Sequence, residues 1–380
     1  MLQKKVVIIG GGLAGLTFAI HLLKSGHPVT LIEKNKYPNH KVCGEFISNE
    51  VRSYLGFLGI DINAMVPAEI DKFTFSSSKG RTLLCNLPLG GFGISRYKLD
   101  HLLYQKAISL GCVVIHDSAE SIDFQENEFQ IHTKENGTIT AALAIGAFGK
   151  RSTLDQKLGR SFFNIKSNWL AVKAHYRGNI TSDQVALHDD QVALHNFDGG
   201  YCGISKVEDD LINVCYLTDY THFKAFKNIE DFQQKVLCEN PQLKVFFESS
   251  EMIFDQPITI SQVSFAKKLP VEKHILMIGD TAGLIHPLCG NGMAMAIHSA
   301  KLCAELCDSY LKNNLKSRSK LEEQYTNLWK STFQKRLLMG RILSYVLRNR
   351  KITNILFDLM AKFPSILPNI IKNTHGNPNI

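Results

Sequence analysis

The sequence lacks the features that mark several large classes of protein. Its nine cysteines are scattered, and no two of them have the C-x-x-C spacing of a zinc or redox site. No stretch reaches the ~18 consecutive apolar residues that are needed to span a bilayer. With 44% hydrophobic and 21% charged residues, the 380-residue chain is not a disordered or collagen-like protein. We therefore predict a globular, cytoplasmic protein with free thiols and no metal site.

The N-terminus and the distribution of charge exclude two further classes. Lys4 and Lys5 precede an apolar run, but the four glycines in that run and the lack of a cleavage site argue against a signal peptide. Six of the eight net positive charges lie in residues 321–380, which hold nine Lys and Arg against three Asp and Glu. We call this segment the C-terminal tail. The rest of the chain is nearly neutral, which argues against a protein that binds nucleic acid.

Hydrophobic periodicity predicts an α/β architecture that is interrupted by strand-rich segments. Val6–Ile9 and Val29–Ile32 are short buried strands on either side of a helical pattern from Leu13 to Leu23, which is the crossover unit of a parallel sheet. A second strand–glycine–helix unit covers Ile275–Leu306, and a hairpin is predicted around Ser78–Gly80.

This order predicts a discontinuous nucleotide-binding domain, an inserted sheet domain and a helical tail. The nucleotide-binding domain comprises residues 1–70, 94–160 and 264–320, and the sheet domain comprises residues 71–93 and 161–263. Within the sheet domain, the hexapeptide Asp-Gln-Val-Ala-Leu-His occurs twice, at 183–188 and at 190–195. We interpret this repeat as a local duplication without a function of its own.

A glycine-rich turn follows the first predicted strand. In the sequence Gly10-Gly11-Gly12-Leu13-Ala14-Gly15, the glycines at 10, 12 and 15 permit a tight turn, the approach of a pyrophosphate and close packing of helix and sheet. The helix that follows offers free N–H groups to the pyrophosphate. Glu33 ends the second strand, where it is placed to bind ribose hydroxyls. An acid at this position disfavours a 2′-phosphate, which leaves NAD or FAD.

A second constellation favours FAD. Gly279-Asp280 follows a predicted strand, and Asp280 is placed to hold a polyol hydroxyl. The backbone of Gly290–Gly292 permits the approach of a flat ring, and a helix begins near Met293. The positive end of that helix would stabilise the anionic edge of a reduced flavin.

The residues described above resemble those of the flavoprotein class of p-hydroxybenzoate hydroxylase. Besides the two glycine motifs, the resemblance includes Arg96 in the sequence Ser95–Asp100. Lys41-Val42-Cys43-Gly44-Glu45 and Gly199-Gly200-Tyr201-Cys202-Gly203 are more similar to the geranylgeranyl reductase and FixC-like branch. The resemblance covers about residues 1–310. It implies a Rossmann-type, glutathione-reductase-like FAD-binding domain and one FAD per chain. It also implies that the flavin lies between that domain and the inserted antiparallel sheet domain, which carries the substrate pocket.

The resemblance also implies which residues contact FAD, namely Gly10, Gly12, Leu13, Ala14, Gly15, Glu33, Lys34, Cys43, Gly44, Arg96, Gly279, Asp280, Pro287, Gly290, Asn291, Gly292 and Met293. For Arg96, an ion pair with Asp100 one helical turn later is the alternative.

Candidate residues for catalysis are Cys43, His286 and Pro287, and the candidate substrate residues are Trp169, Phe197 and Tyr201. Each has a structural alternative. Cys43 is also explained as a small buried hydrophobe, His286 as a locally hydrogen-bonded side chain, and the aromatic residues as core.

Three functions follow from these observations. The first is a monooxygenase-like enzyme that acts on a hydrophobic or aromatic metabolite with reduced flavin and O2. The second is a reductase of alkene bonds in an isoprenoid-like lipid, and the third is an electron-transfer flavoprotein. Residues 144–152 lack the Asp-Gly motif that the hydroxylases use with nicotinamide, which argues against direct reduction by NAD(P)H. The two candidate reductants are NAD(P)H and a separate reductase or ferredoxin. Gly203-Ile204-Ser205 lacks the tryptophans and proline of the halogenase motif WxWxIP, which argues against halogenation.

The C-terminal tail is predicted to be helical, with breaks at Pro364 and Pro368. Its apolar residues at near-helical spacing are Trp329, Phe333, Leu337, Leu338, Ile342 and Tyr345. One interpretation packs this face on the FAD domain, as amphipathic helices of enzymes usually do. The other places it on an anionic membrane or a carrier protein, which would make the protein peripheral at the inner membrane face.

Overall fold

The computed structural model describes residues 4–178, 189–348, 350–376 and 380. Its strands are β1 (Val6–Ile9), β2 (Val29–Ile32), β3 (Phe46–Ser48), β4 (Ala68–Ser76), β5 (Thr82–Gly93), β6 (Val113–Ile115), β7 (Ala119–Gln125), β8 (Glu128–Thr133), β9 (Thr138–Ala141), β10 (Leu143–Gly146), β11 (Trp169–Gly178), β12 (Gln191–Phe197), β13 (Gly200–Lys206), β14 (Ile212–Asp219), β15 (Ser250–Met252), β16 (Ile258–Ser261), β17 (Val271–Glu272) and β18 (Ile275–Met277).

Its α-helices are α1 (Leu13–Lys24), α2 (Arg52–Phe57), α3 (Arg96–Ser109), α4 (Thr153–Lys157), α5 (Tyr220–Phe223), α6 (Ile229–Lys235), α7 (Pro241–Ser249), α8 (Gly292–Leu311), α9 (Arg318–Arg348), α10 (Arg350–Lys362) and α11 (Ile366–Thr374). None of the helices in the described part of the chain has the length and apolarity to cross a bilayer.

The first sheet has the strand order β17-β18-β10-β1-β2-β6 and is parallel except for the β17–β18 pair. Every residue of β1, β2 and β10 is buried, which explains why these strands are continuous apolar runs rather than alternating ones. The α-helices α1, α3 and α8 and the small sheet β7-β8-β9 cover it and share its core. The α/β fold predicted from the sequence is confirmed.

The second sheet has the order β15-β11-β14-β13-β12-β4-β5-β3, and β16 pairs with β11. All its pairings are antiparallel except that of β12 with β4. One face packs on α6 and α7, and the other on α10 and α11. Phe46–Ser48, which lies within the segment assigned to the first domain, pairs with β5 of this sheet. The second copy of the repeated hexapeptide forms most of β12, whereas the first copy lies outside the described residues.

The C-terminal tail forms α9, α10 and α11. The first half of α9 follows the interpretation that places its apolar face on the first domain, since Trp329 and Phe333 are buried in that core. Leu338, Ile342 and Tyr345, further along the same helix, are exposed. The predicted break at Pro368 is wrong, because this residue lies in the first turn of α11, where a helix needs no donor from the ring nitrogen.

Candidate functional site

The ends of the parallel strands form one edge at which the predicted cofactor residues meet. Gly10 follows β1, has a φ of +107°, and would place a Cβ 2.3 Å from the carbonyl oxygen of Ala147. A Cβ at Gly15 would lie 2.0 Å from the Gly10 oxygen. Neither position admits a side chain, so the turn between β1 and α1 is built for glycine.

Glu33 is fixed at the end of β2. Its carboxylate accepts hydrogen bonds from the backbone N–H of Gly11 at 2.7 Å and of Asn35 at 2.9 Å. The side chain is buried and directed at the glycine turn, which is where the sequence predicted a ribose ligand. Lys34, by contrast, is exposed.

Two cations face the turn at Gly12. A Cβ built on Gly12 would lie 3.7 Å from Arg96 Nη2 and 3.8 Å from Lys41 Nζ. The alternative given for Arg96, an ion pair with Asp100, is present, because its guanidinium forms two 2.7 Å hydrogen bonds with that carboxylate. The contact of Arg96 with FAD stays a prediction. Burial opposes the charged form, but the Asp100 carboxylate outweighs it and raises the pKa of Arg96. Sequence reasoning did not single out Lys41, although the motif that contains it was recognised.

This place fits the diphosphate of FAD. The N-cap of α1 is Gly12, which makes no side-chain capping bond, and the first turn has no acidic residue. The open N–H groups of the helix, its partial positive charge and the two adjacent cations are the donor set that an anionic diphosphate requires.

The second glycine loop, residues 279–292, lies beside the first. Gly279 has a φ of +58°, and its Cβ would approach that of Ala14 to 2.9 Å, so the two loops are packed together. Asp280 is half-buried in a short helical turn. The buried Lys268 donates hydrogen bonds to the backbone oxygens of Asp280 and Lys150, and burial lowers the pKa of its amine to about 8.

The loop ends at the N-terminus of α8, which begins at Gly292, one residue before the predicted start. Asn291, the N-cap, makes no side-chain capping bond, and instead donates from Nδ2 to the carbonyl oxygen of Thr374 in the C-terminal tail at 3.0 Å. Gly290 has a φ of +60°, and Met293 is buried. The first N–H groups of α8 are therefore not capped by a side chain, as the site of an anionic flavin edge would require.

An aromatic cavity of about 150 Å³ adjoins this loop. Its lining includes Trp169, Tyr201 and His286. The ring centroids of Trp169 and of Tyr201 each lie 5.9 Å from that of His286. The Phe265 ring lies 4.2 Å from the His286 ring. Burial raises the pKa of Tyr201 well above its usual value, so its hydroxyl stays protonated. The structure thus brings together the predicted loop histidine and two of the predicted substrate aromatics.

Phe197 has a different environment from the other predicted aromatics. It borders the same cavity, but its ring packs against Tyr216 and Phe232 at centroid distances of 6.2 and 6.1 Å, in the core on the opposite face of the sheet. Side chains alternate between the two faces of a sheet along each strand. At its position in β12, Phe197 points to the face opposite that of Trp169 and Tyr201. For Phe197 the structural alternative describes most of its contacts.

The C-terminal tail forms part of the wall of this cavity. Ser344 of α9 and Thr353 of α10 belong to its lining. A Cβ on Gly340 would lie 3.2 Å from Cys289 Sγ and 3.3 Å from His286 Cβ, so α9 packs directly on the second glycine loop. The isolated glycine in a helical pattern was the signal for this close approach in the sequence.

Cys43 and Gly44 are held by the second sheet. Asn213 Nδ2 donates to the Cys43 oxygen at 3.3 Å, and Ser205 Oγ donates to the Gly44 oxygen at 3.2 Å. The thiol of Cys43 is half-buried. Pro287, the third candidate for catalysis besides Cys43 and His286, begins a short helical turn in the second glycine loop.

The next residue, Glu45, has a φ of +54° and is completely buried. Its carboxylate binds Lys173 Nζ at 2.5 Å, His175 Nε2 at 2.6 Å and the backbone N–H of Arg96 at 2.7 Å. Burial alone would favour the neutral acid, but the neighbouring Lys173 and His175 keep the pKa of Glu45 below its usual value. Lys173 and His175 were missed by sequence reasoning, and their i, i+2 spacing in an otherwise apolar strand was the available signal.

No group of three or more His, Cys, Asp or Glu side chains in the described ranges is arranged to hold a metal ion, and the nine cysteines are all free.

The sequence of this chain matches the family model described as an FAD binding domain over residues 3–318. A digeranylgeranylglycerophospholipid reductase of Methanosphaera stadtmanae is 26% identical over 86% of this chain and 80% of the relative. The ubiquinone hydroxylase UbiM of Neisseria meningitidis is 22% identical over 86% and 73% of the two chains. Some relatives are longer, and the chain spans 63% of a tryptophan 2-halogenase of Chondromyces crocatus.

A crystal structure of the halogenase PltM has the same fold. It aligns with a TM-score of 0.77 and 17% identity over 98% of this chain and 84% of PltM. Monooxygenase, reductase and halogenase names thus all occur among proteins similar to this one.

Proposed function

The chain belongs to the FAD binding domain family and is an FAD-dependent oxidoreductase, and from this we propose that it is a monooxygenase that hydroxylates a hydrophobic aromatic compound. One atom of O2 enters a ring C–H bond, the other leaves as water, and the reductant supplies two electrons. NAD(P)H, or a separate reductase or ferredoxin, is the proposed source of these electrons. FAD, when bound, supplies the redox chemistry and the activation of oxygen.

The size and lining of the aromatic cavity carry this proposal. An apolar cavity of about 150 Å³ accommodates one benzene ring. The cavity beside the second glycine loop has that volume, and its wall combines aromatic rings with polar side chains such as Asn196 and Asp198. Trp169 and Tyr201 provide flat surfaces for such a ring. A long isoprenoid chain exceeds this space, so the cavity favours an aromatic headgroup over an extended alkene.

His286 gives the cavity a polar group at the loop that faces the cofactor site. The Leu288 backbone N–H donates to His286 Nδ1 at 3.4 Å, so the neutral ring carries its proton on Nε2. A phenolic oxygen of the substrate could accept a hydrogen bond from that nitrogen. Such a bond would orient the ring and take part in the transfer of its phenolic proton during hydroxylation.

The remaining residues bind the cofactor and exclude water. Arg96 and Lys41 would hold the diphosphate in front of Gly12. Asp280 would bind a polyol hydroxyl, and the N-terminus of α8 would face the anionic edge of the reduced ring. The C-terminal tail would form part of the wall on the substrate side and so reduce the access of water to the reaction.

The test is an oxygen-labelling experiment on the FAD-loaded, full-length chain. The flavin is photoreduced without oxygen and is then mixed with isotopically heavy O2 and a panel of alkylated phenols. The products are analysed by mass spectrometry. Heavy oxygen in the product supports the proposal, and reoxidation of the flavin without any labelled product from the panel contradicts it.

A matched pair of variants links the result to the cavity. Tyr201→Phe removes a hydroxyl from the cavity wall, and Tyr216→Phe removes one from the opposite face of the same sheet. The first is expected to lower kcat/KM by about tenfold, which is the effect of one lost hydrogen bond to substrate, and the second to leave it unchanged.

The second candidate is a reductase of an alkene in an isoprenoid-like lipid. The similarity to the digeranylgeranylglycerophospholipid reductase and the Cys43-Gly44 motif favour it. This function predicts that the reduced flavin is oxidised anaerobically by the lipid, whose double bond gains two hydrogens. An electron-transfer flavoprotein would show neither change in a small-molecule product.

A further inference from the structure

Two consecutive helices of the C-terminal tail expose a row of large apolar side chains. On α9 these are Leu338, Ile342 and Tyr345, and on α10 and its C-terminal end they are Ile355, Leu359 and Phe363. The spacings of three and four residues place each set on one face of its helix. Tyr345 and Ile355 are the most exposed, at 72% and 68%.

Within the described ranges, no other segment of the chain buries these faces. The opposite side of each helix is already packed, by Trp329 and Phe333 in the core of the first domain and by Phe357 and Met360 in the core of the second sheet. Both helices therefore have two apolar faces, one buried and one exposed. Rows of large exposed apolar side chains on two successive helices indicate a binding surface.

The charge around the exposed faces selects the partner. Lys335, Arg341 and Lys362 are exposed on the same helices. Between residues 324 and 376 the sequence has a single acidic residue, Asp358, which is paired with Arg81 at 2.8 Å. Apolar side chains flanked by cations suit a surface that has an apolar interior beneath anionic headgroups. A second copy of the chain would instead bring like charges together.

We propose that α9 and α10 dock the protein on an anionic lipid bilayer, with these six apolar residues inserted among the headgroups. Ser344 and Thr353 come from the same two helices and line the aromatic cavity. The helices that touch the lipid thus form part of the cavity wall. A lipid-like aromatic substrate therefore enters the cavity from the bilayer. The entry of substrate rests on the proposed function, whereas the docking itself does not.

The test is co-sedimentation of the FAD-loaded, full-length chain with vesicles. Vesicles of phosphatidylcholine alone are compared with vesicles that also contain phosphatidylglycerol. We expect binding to the anionic vesicles, weaker binding at high salt, and a loss on the order of tenfold or more in the double variant Ile342→Glu/Ile355→Glu. Both positions are exposed, so the fold is retained, which circular dichroism verifies.

The matched control is Ile108→Glu, a helical isoleucine of α3 that is 43% exposed on the first domain. It should bind vesicles as the unmodified chain does. Absence of binding to anionic vesicles, or equal binding of the double variant and the control, overturns the proposal. A dimer that the double variant abolishes, measured by light scattering, would assign the surface to a second copy and also overturns it.

The docking and the proposed function can each be refuted independently of the other. A chain that hydroxylates a detergent-solubilised phenol but ignores vesicles refutes the docking alone. A chain that binds anionic vesicles but incorporates no labelled oxygen refutes the monooxygenase alone.

Discussion

Glu45 and Lys173 form an ion pair that is completely buried where the second sheet meets the segment leading to the cofactor site. The carboxylate and the ammonium are 2.5 Å apart, and neither side chain has any exposed surface. The residues are 128 positions apart in the sequence. Because Glu45 follows Cys43 and Gly44 and also binds the Arg96 backbone, this pair ties the predicted flavin-contact segment to the sheet that lines the aromatic cavity.

Removing one partner of this pair is expected to be costly. In Lys173→Met the Glu45 carboxylate keeps its burial and its bond to His175 but loses the lysine ammonium. We expect this loss to lower the free energy of unfolding by about 3–5 kcal/mol. Adding Glu45→Gln should recover most of that loss, because the side chain is then neutral. Urea unfolding followed by tryptophan fluorescence measures both changes.

An exposed ion pair provides the control. Lys301 and Glu305 lie 2.6 Å apart on the surface of α8, and Lys301→Met should cost only about 0.3–0.5 kcal/mol. Equal costs at the two lysines, or no recovery in the double variant, would contradict a dominant role for burial.

The cations at Gly12 lead to a prediction about cofactor affinity. Lys41→Met should weaken FAD binding by about 10–100-fold, since a charge-assisted hydrogen bond contributes about 1.5–3 kcal/mol. Asp100 retains its two bonds to Arg96, so no buried charge is left unpaired. The recovery of flavin fluorescence on dilution reports the affinity. The control is Lys36→Met, which alters an exposed lysine nearby. An equal loss of FAD affinity in both variants would contradict a role of Lys41 in binding the diphosphate.

The local parts of the cofactor site could be predicted from the sequence. Val6–Ile9, the glycine turn and α1 follow directly along the chain, so the apolar run, the glycines and the helical period describe them without any tertiary information. The meeting of Glu33 with this turn also follows, because the C-terminal ends of neighbouring parallel strands lie at one edge.

Other parts depend on contacts between distant segments. The pattern around Lys173 and His175 shows two polar residues on one face of a strand, but not that Glu45 lies opposite them. Likewise, the amphipathic pattern of the C-terminal tail predicts helices without specifying which surface each one covers. The burial of Phe357 against the second sheet, and the exposure of Ile342, follow only from the packed structure.

Gly340 permits the contact between α9 and the second glycine loop. Alanine in a helix is normally favoured over glycine by about 0.5–1 kcal/mol. At position 340 the added Cβ would press on Cys289 and His286 at 3.2–3.3 Å, so Gly340→Ala should not gain this stability and should raise KM for the aromatic substrate. In Gly56→Ala, on α2, the Cβ meets open space and the full gain is expected. Thermal unfolding and steady-state kinetics compare the two variants. Equal gains in stability would show that the second glycine loop accommodates the added Cβ without cost.

Acid should destabilise the protein through its buried histidines, and His195 allows the effect to be isolated. Its ring is buried in β12 with Nδ1 2.8 Å from Ser76 Oγ, and burial lowers its pKa to about 4. An unfolded chain has a histidine pKa of about 6.5. Between these values the unfolded state binds a proton that the folded state does not, so stability falls as the pH decreases from 6.5 towards 4.

His195→Gln removes this contribution. Across that window the unmodified chain should lose about 3 kcal/mol more than the variant does, at about 1.4 kcal/mol for each pH unit. At pH 8 the His195 ring is neutral in both the folded and the unfolded state. The difference in unfolding free energy between the two proteins at that pH therefore measures the cost of the altered packing and is subtracted. His298, whose pKa burial lowers to about 3, is present in both proteins and adds equally to both slopes. Parallel unfolding free energies of the two proteins from pH 8 to pH 4 would show that His195 takes up its proton in the folded state.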